Sequence, residues 1–226
     1  MNWPNKKIDF NKFIIDNKVV GIFKEPIKLK SNRLSPFYVN WRNVAEDVFL
    51  IDHLADFIIS FVRSLNLQPD SFYGVPEGAT KIGIITQYKW AKMQNNYKSG
   101  VYKLSMGRGK PKDHGAPKDR YFLGTPKGKT LIIEDVTTTG ESLIESIEEL
   151  NRFNTEIIGA IGLTNRNEIR DDGKSIEQIV QEKGTSYYTM SNTVDLLSHL
   201  KIKEDIAKKI EDYYNKYGAI KVKLSR

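Results

Sequence analysis

The sequence contains no cysteine. Disulfides, a thiol nucleophile and a cysteine-ligated zinc site are therefore excluded. Histidine is scarce, and His53 stands in a helical stretch without a partner at metal-ligand spacing. It reads as a surface or packed histidine. The opening residues, Met1 to Lys7, lack the apolar core of a signal peptide, and no apolar run is long enough to span a membrane. A cytoplasmic protein without a membrane segment is the expectation. No internal repeat or low-complexity tract appears. The hydrophobic share of 39% and charged share of 28% are those of an ordinary globular chain.

Acidic charge falls short of basic charge, leaving a net +7 that raises the question of nucleic acid. The distribution argues against it. Lys103 to Arg120 carries six basic residues against two acidic ones, in a loop containing glycine and proline. No aromatic residues interleave with those bases, as a single-strand surface requires. A loop for a small, highly charged anion fits better. Lys201 to Arg226, with eight basic and four acidic residues, reads as a solvated face.

The most informative stretch runs from Leu131 to Ser142. Leu131-Ile132-Ile133 reads as a buried strand, ended by Glu134 and Asp135. Thr137-Thr138-Thr139-Gly140 follows, and then Leu143, Ile144, Ile147 and Leu150 recur at helical spacing. In open α/β folds such a turn lies at the ligand-binding edge of the sheet. Helix-start N–H groups of Glu141 and Ser142 can receive an anion, threonine hydroxyls add donors, and Gly140 permits close approach. The two acids repel a phosphate but suit ribose hydroxyls or a metal. The competing reading is a strand end followed by a helix capped by Thr139.

The stretch closely resembles the phosphoribosyl-diphosphate (PRPP) binding motif of type I phosphoribosyltransferases, and a second segment narrows the resemblance. Leu29-Lys30-Ser31-Asn32-Arg33-Leu34-Ser35-Pro36-Phe37-Tyr38-Val39-Asn40 reads as a turn between two strands. On composition Lys30 is a solvent-facing lysine, and Phe37 and Tyr38 are core aromatics. The segment is similar to the amino-terminal signature of orotate phosphoribosyltransferases, in which the lysine and the aromatic strand form the base and PRPP pocket. Asn32 replaces the usual glycine, and asparagine tolerates positive φ.

Other elements follow in order. A short amphipathic helix around Phe10, Phe13, Ile14, Ile15 and Val19 is expected to end near Gly21, and a strand to cover Ile27 to Lys30. Val44 to Leu65 predicts one helix, with Val44, Val48, Ile51, Leu54, Ile58, Phe61 and Val62 as its stripe. Phe72 to Val75 predicts a strand, Pro76 to Thr80 a turn, and Ile82 to Trp90 a helix. The resembled family contacts diphosphate at that turn, although some members place an aromatic and a lysine where Glu77 and Gly78 stand. Val101 to Leu104 predicts a strand. Then comes Arg108-Gly109-Lys110-Pro111-Lys112-Asp113-His114-Gly115, whose glycines and prolines exclude a helix. Alone it is a basic surface loop. By resemblance it is the catalytic lid, with Arg108, Lys112 and His114 on the family's arginine, lysine and histidine, and Gly109 where many members carry a second lysine. Gly124 to Thr130 is one residue short of nucleotide phosphate-loop spacing and precedes its strand, so it reads as a turn.

Ile157 to Thr164 predicts a strand, with Arg166 at its carboxyl end as a surface ion-pair partner or a donor fork for a planar acid. By resemblance Arg166 is the orotate-binding arginine. A helix over Ile176 to Val180, a strand over Tyr187 to Met190 and helices from Val194 to Tyr214 are expected to pack the far edge without chemistry. The phrase from Thr193 to Leu197 reads as structural.

The expected architecture is the type I phosphoribosyltransferase fold, a mostly parallel, right-handed α/β core in one domain over 1–226, with residues 1–40 as a hood. The resemblance implies Mg²⁺-dependent transfer of ribose 5-phosphate from PRPP to orotate, yielding orotidine 5′-monophosphate for pyrimidine biosynthesis. PRPP falls to Arg108, Lys112, His114, Glu134, Asp135, Thr137, Thr138, Thr139, Gly140, Glu141 and Ser142. Orotate falls to Lys30, Phe37, Tyr38, Thr138 and Arg166, and catalysis to Lys112, His114, Glu134 and Asp135. No direct protein ligand to Mg²⁺ is expected, the ion being held through PRPP and water. A homodimer sharing loop 106–120 is implied. A purine-using transferase and a PRPP-binding regulator remain as alternatives.

Overall fold

The computed structural model describes residues 3–224; Met1, Asn2, Ser225 and Arg226, at the ends of two stretches read above, lie outside them. In chain order the elements are α1 (Trp3–Asp16), β1 (Val20–Lys28), β2 (Leu34–Val39), α2 (Arg42–Glu46), α3 (Val48–Ser64), β3 (Ser71–Gly74), α4 (Thr80–Lys92), α5 (Pro117–Tyr121), β4 (Thr130–Thr137), α6 (Glu141–Arg152), β5 (Ile157–Asn165), α7 (Ile176–Glu182), β6 (Tyr187–Asn192), α8 (Thr193–Ser198) and α9 (Glu204–Tyr217).

Four strands form a parallel sheet in the order β3-β4-β5-β6, and β1 and β2 form a separate antiparallel hairpin. Alternation along β4 builds three layers. Leu131 and Ile133 face the core shared with α3, α8 and α9, while Ile132 faces Leu143, Ile147 and Leu150 of α6 and Ile176 and Val180 of α7. Burial on both faces explains why β4 and β5 read as continuous apolar runs. The carboxyl ends of β3, β4 and β5 open toward the hairpin.

Several boundaries differ from expectation for local reasons. The first helix stops at Asp16, because Lys18 adopts φ 54° and Val19 and Gly21 belong to the approach and strand of β1. The helix expected over Val44 to Leu65 is broken at Asp47, which is extended and accepts hydrogen bonds from the N–H groups of Phe49 and Leu50. A capping aspartate thus outcompetes an unbroken periodicity. Val48, expected in the buried stripe, is 83% exposed in consequence. Val101 to Leu104 forms no strand; ordering begins with an isolated bridge between Gly107 and Phe122. The basic loop closes with the short helix α5, carrying Pro117 in its first turn, where a missing N–H is harmless.

The last helix also departs from expectation. Tyr214 of α9 stacks on Phe37 of β2 and Tyr213 meets the same ring edge-on, with centroids 5.7 and 5.6 Å apart. The carboxyl-terminal helix therefore packs against the hairpin strand β2. Thr193, in the phrase read as structural, bonds the Arg166 carbonyl and pairs with the Tyr214 hydroxyl.

Candidate active site

Gly140 sets the geometry of the central turn. It sits at the start of α6 with φ 72°, and a side chain there would collide with Ile176. No side chain caps α6, and its first internal bond runs from the Ile144 N–H to the Gly140 carbonyl. Thr139 is therefore not the cap. The first N–H groups of a twelve-residue helix are left for an anion.

That turn forms one wall of a crevice of about 410 Å³ between the sheet edge and the hairpin. Glu134, Asp135, Thr138, Thr139, Gly140, Glu141 and Ser142 line it, as do Pro76, Glu77 and Gly78 after β3 and Arg166 after β5. The hairpin side contributes Lys30, Ser31, Tyr38, Val39, Asn40 and Arg42. Three strand ends and the turn of the hairpin thus converge, as expected of an open parallel sheet.

Lys30 bridges the two walls. Its Nζ donates to Ser142 Oγ at 2.9 Å and lies 4.0 Å from a Glu141 carboxylate oxygen. The hairpin turn is closed by backbone bonds between Leu29, Asn32 and Arg33, with Asn32 at φ 63°. Asparagine thus adopts the left-handed conformation anticipated for it.

Burial, reinforced by the adjacent Asp135 charge, raises the Glu134 carboxyl well above the ordinary carboxylate range. Asp135 accepts from the Val136 N–H at 2.9 Å and presses against Gly78, where a Cβ would collide with its carboxylate. Only glycine at 78 lets the turn after β3 approach the acidic pair so closely.

Some expected residues stand off the wall. Phe37 is fully buried, stacked beneath Arg166 and Tyr214, because its strand turns Tyr38 toward the crevice and Phe37 toward α9. Val39, not Phe37, is Tyr38's neighbour on the wall. Thr137 is buried, and its hydroxyl shares a 2.6 Å hydrogen bond with Tyr187. Arg108, Lys112 and His114 do not line the crevice of their own chain. Lys112 and His114 are exposed on a flap held by bonds from the Arg108 N–H to the Tyr121 carbonyl and from the Lys112 N–H to the Arg120 carbonyl. His53 is exposed against Phe49, and Gly124 to Thr130 is an irregular turn into β4.

Arg166 is not a surface residue: it is 1% exposed and bonded to Glu168, Ser35 and Tyr213. Sequence reading missed this support, and it missed Arg42, an exposed guanidinium on the crevice wall with no ion pair among the described residues. Spacing offered no signal for Arg42, and for Arg166 only the nearby Glu168 could have been read, since Ser35 and Tyr213 are remote in sequence.

No family model matches the chain. A curated orotate phosphoribosyltransferase of Rhodopseudomonas palustris is 33% identical over 162 residues, covering 69% of this chain and 80% of the relative. One from Methylococcus capsulatus is 27% identical over 216 residues, covering 93% and 96%. Among solved structures, the orotate phosphoribosyltransferase of Francisella tularensis superposes with a TM-score of 0.67 at 22% identity, covering 93% of this chain and 99% of that one.

Proposed function

The chain belongs to the orotate phosphoribosyltransferase family, and from that membership we propose how its crevice transfers ribose 5-phosphate from PRPP to orotate, releasing diphosphate and orotidine 5′-monophosphate. The observation that carries the reading is one crevice joining an uncapped helix start, an acidic pair and two basic residues from separate walls.

The 5-phosphate sits on the N–H groups opening α6 and on the hydroxyls of Thr138 and Thr139. Asp135 and Glu134 orient the ribose hydroxyls. Cleavage at the anomeric carbon builds positive charge on the sugar, which the acidic pair stabilises, and negative charge on diphosphate. This is electrostatic stabilisation without a covalent intermediate. Lys30 and Arg166 recognise the acceptor's carboxylate and ring oxygens, and Tyr38 its ring. The carboxylate is what separates orotate from uracil.

Mg²⁺ is usually held by substrate phosphates, water and one or two carboxylates. Asp135 on the crevice wall suits that arrangement and is the carboxylate to which metal-bound water would be held. The ion neutralises the diphosphate when bound. Arg108, Lys112 and His114 serve the same leaving group from the flap, closing over the crevice of a second subunit in a homodimer. Their positions off the wall of their own chain support this sharing. A cytoplasmic location and a role in de novo pyrimidine biosynthesis belong to the same proposal.

The test is incubation with PRPP, Mg²⁺ and a panel of bases, following base consumption. Conversion of orotate alone is the expected result, abolished by EDTA and restored by Mg²⁺. Conversion of hypoxanthine or adenine, or binding of PRPP without turnover, would overturn it.

A further inference from the structure

Behind the crevice, one buried carboxylate holds two arginines from different parts of the fold. Glu168 Oε1 accepts from Arg166 Nε at 2.7 Å, and Oε2 accepts from Arg33 Nη1 at 2.9 Å. The Glu168 side chain is 0% exposed. Arg33 Nη2 continues to Asp171 and the Ile169 carbonyl, with its guanidinium 4.6 Å above Tyr217. Arg166 Nη2 donates to Ser35 Oγ at 3.0 Å and to the Tyr213 hydroxyl at 3.3 Å, and the guanidinium lies 4.1 Å over Phe37.

These contacts occupy Arg166 unevenly. Nε and Nη2 are committed to groups behind the crevice, and the guanidinium plane is clamped by the Phe37 ring. Nη1 makes only a 3.4 Å bond to the Phe37 carbonyl. Nη1 is thus the least committed nitrogen of a residue that lines the crevice.

The charge is uneven as well. Arg33 and Arg166 are buried against a single buried anion, while Asp171 is 93% exposed and screened by water. A buried cation without a full counter-charge is unfavourable. A ligand carboxylate in the crevice would complete the cluster.

We infer that Glu168 is the positioning residue for acceptor recognition. It aims Arg166 Nη1 into the crevice and, through Arg33, locks that arginine to the hairpin turn carrying Lys30, so that the paired site takes a planar ring bearing a carboxylate. The inference rests on the reading that Arg166 faces the acceptor.

Steady-state kinetics on Glu168→Gln, Glu168→Asp, Ser35→Ala, Tyr213→Phe and Arg166→Lys test it, varying orotate and PRPP separately. Glu168→Gln is expected to raise the orotate KM about tenfold, the scale of a charged hydrogen bond, and to leave the PRPP KM within about twofold. Glu168→Asp restores part of the loss, and the preference for orotate over uracil narrows in Glu168→Gln. Ser35→Ala and Tyr213→Phe raise the orotate KM by a smaller factor. If folded Glu168→Gln keeps the parental orotate KM, or both KM values rise together, the inference fails while the Arg166 reading stands. Should Glu168→Gln not fold, unchanged orotate KM in both Ser35→Ala and Tyr213→Phe overturns it. An unchanged orotate KM in Arg166→Lys would remove the reading and the inference together.

Discussion

Glu77 lies against Gly109: a Cβ built on Gly109 would stand 2.7 Å from Glu77 Oε1. Two departures from the resembled family pattern, one in the turn after β3 and one in the flap, are thus spatial neighbours. A carboxylate occupies the meeting place of two segments assigned to the diphosphate, and Arg42, which lines the same crevice from the hairpin side, has no ion pair among the described residues. Glu77→Gln is expected to lower the PRPP KM severalfold, since it removes a like charge from an anion site. Arg42→Ala is expected to raise it about tenfold, by loss of a charge-assisted contact. Initial-rate measurements with PRPP varied decide both. An unchanged KM in both would mean that neither side chain meets the donor.

The raised proton affinity of Glu134 predicts a trade between stability and activity. An unfolded glutamate titrates at about 4.3, and the folded Glu134 carboxyl holds its proton to higher pH. Between those two values the folded state binds more protons, so the ligand-free protein loses stability as pH rises through that window. Glu134→Gln removes the effect. Its Tm should exceed the parent's at neutral pH, with a gap that widens as pH rises above the ordinary glutamate range, while kcat falls about a hundredfold. A gap that does not change with pH would contradict the assignment.

Gly140→Ala tests the anion turn. The substitution forces a Cβ into Ile176 at a positive φ, so a loss of about 1–3 kcal/mol in urea unfolding is expected. The PRPP KM should rise with it, because the same backbone aims the helix-start N–H groups. Parental stability and parental KM together would show that the turn relaxes freely.

A shared lid predicts complementation. Lys112→Ala and Arg166→Ala should each be nearly inactive, one lacking the flap lysine and the other the acceptor arginine. Mixed subunits should recover about a quarter of parental activity, since half of randomly assorted dimers are mixed and each holds one intact site. No recovery after verified subunit exchange would place each lid over its own crevice.

The elements that positioned the site were largely legible from local pattern. An apolar run ending in Glu134 and Asp135, followed by Thr137 to Gly140 and a helical stripe, requires only neighbours in sequence, and β4 and α6 follow it closely. The Asn32 turn was readable for the same reason. The misses are places where a distant or competing partner decides. Asp47 breaks the long helix by capping it, Gly107 pairs with Phe122 where a strand was expected earlier, and Phe37 turns inward to Tyr213 and Tyr214.

By itself, the sequence determined the glycine turn before α6, the acidic pair and the basic flap, because each is a run of adjacent residues whose character lies in backbone shape and charge. Only tertiary structure decided how Arg166 is held, since its partners come from positions 35, 168 and 213. No periodicity links those positions. Burial forces a guanidinium to find whichever acceptors the fold brings near it, and that choice is made when the hairpin, the loop after β5 and the last helix close on one another.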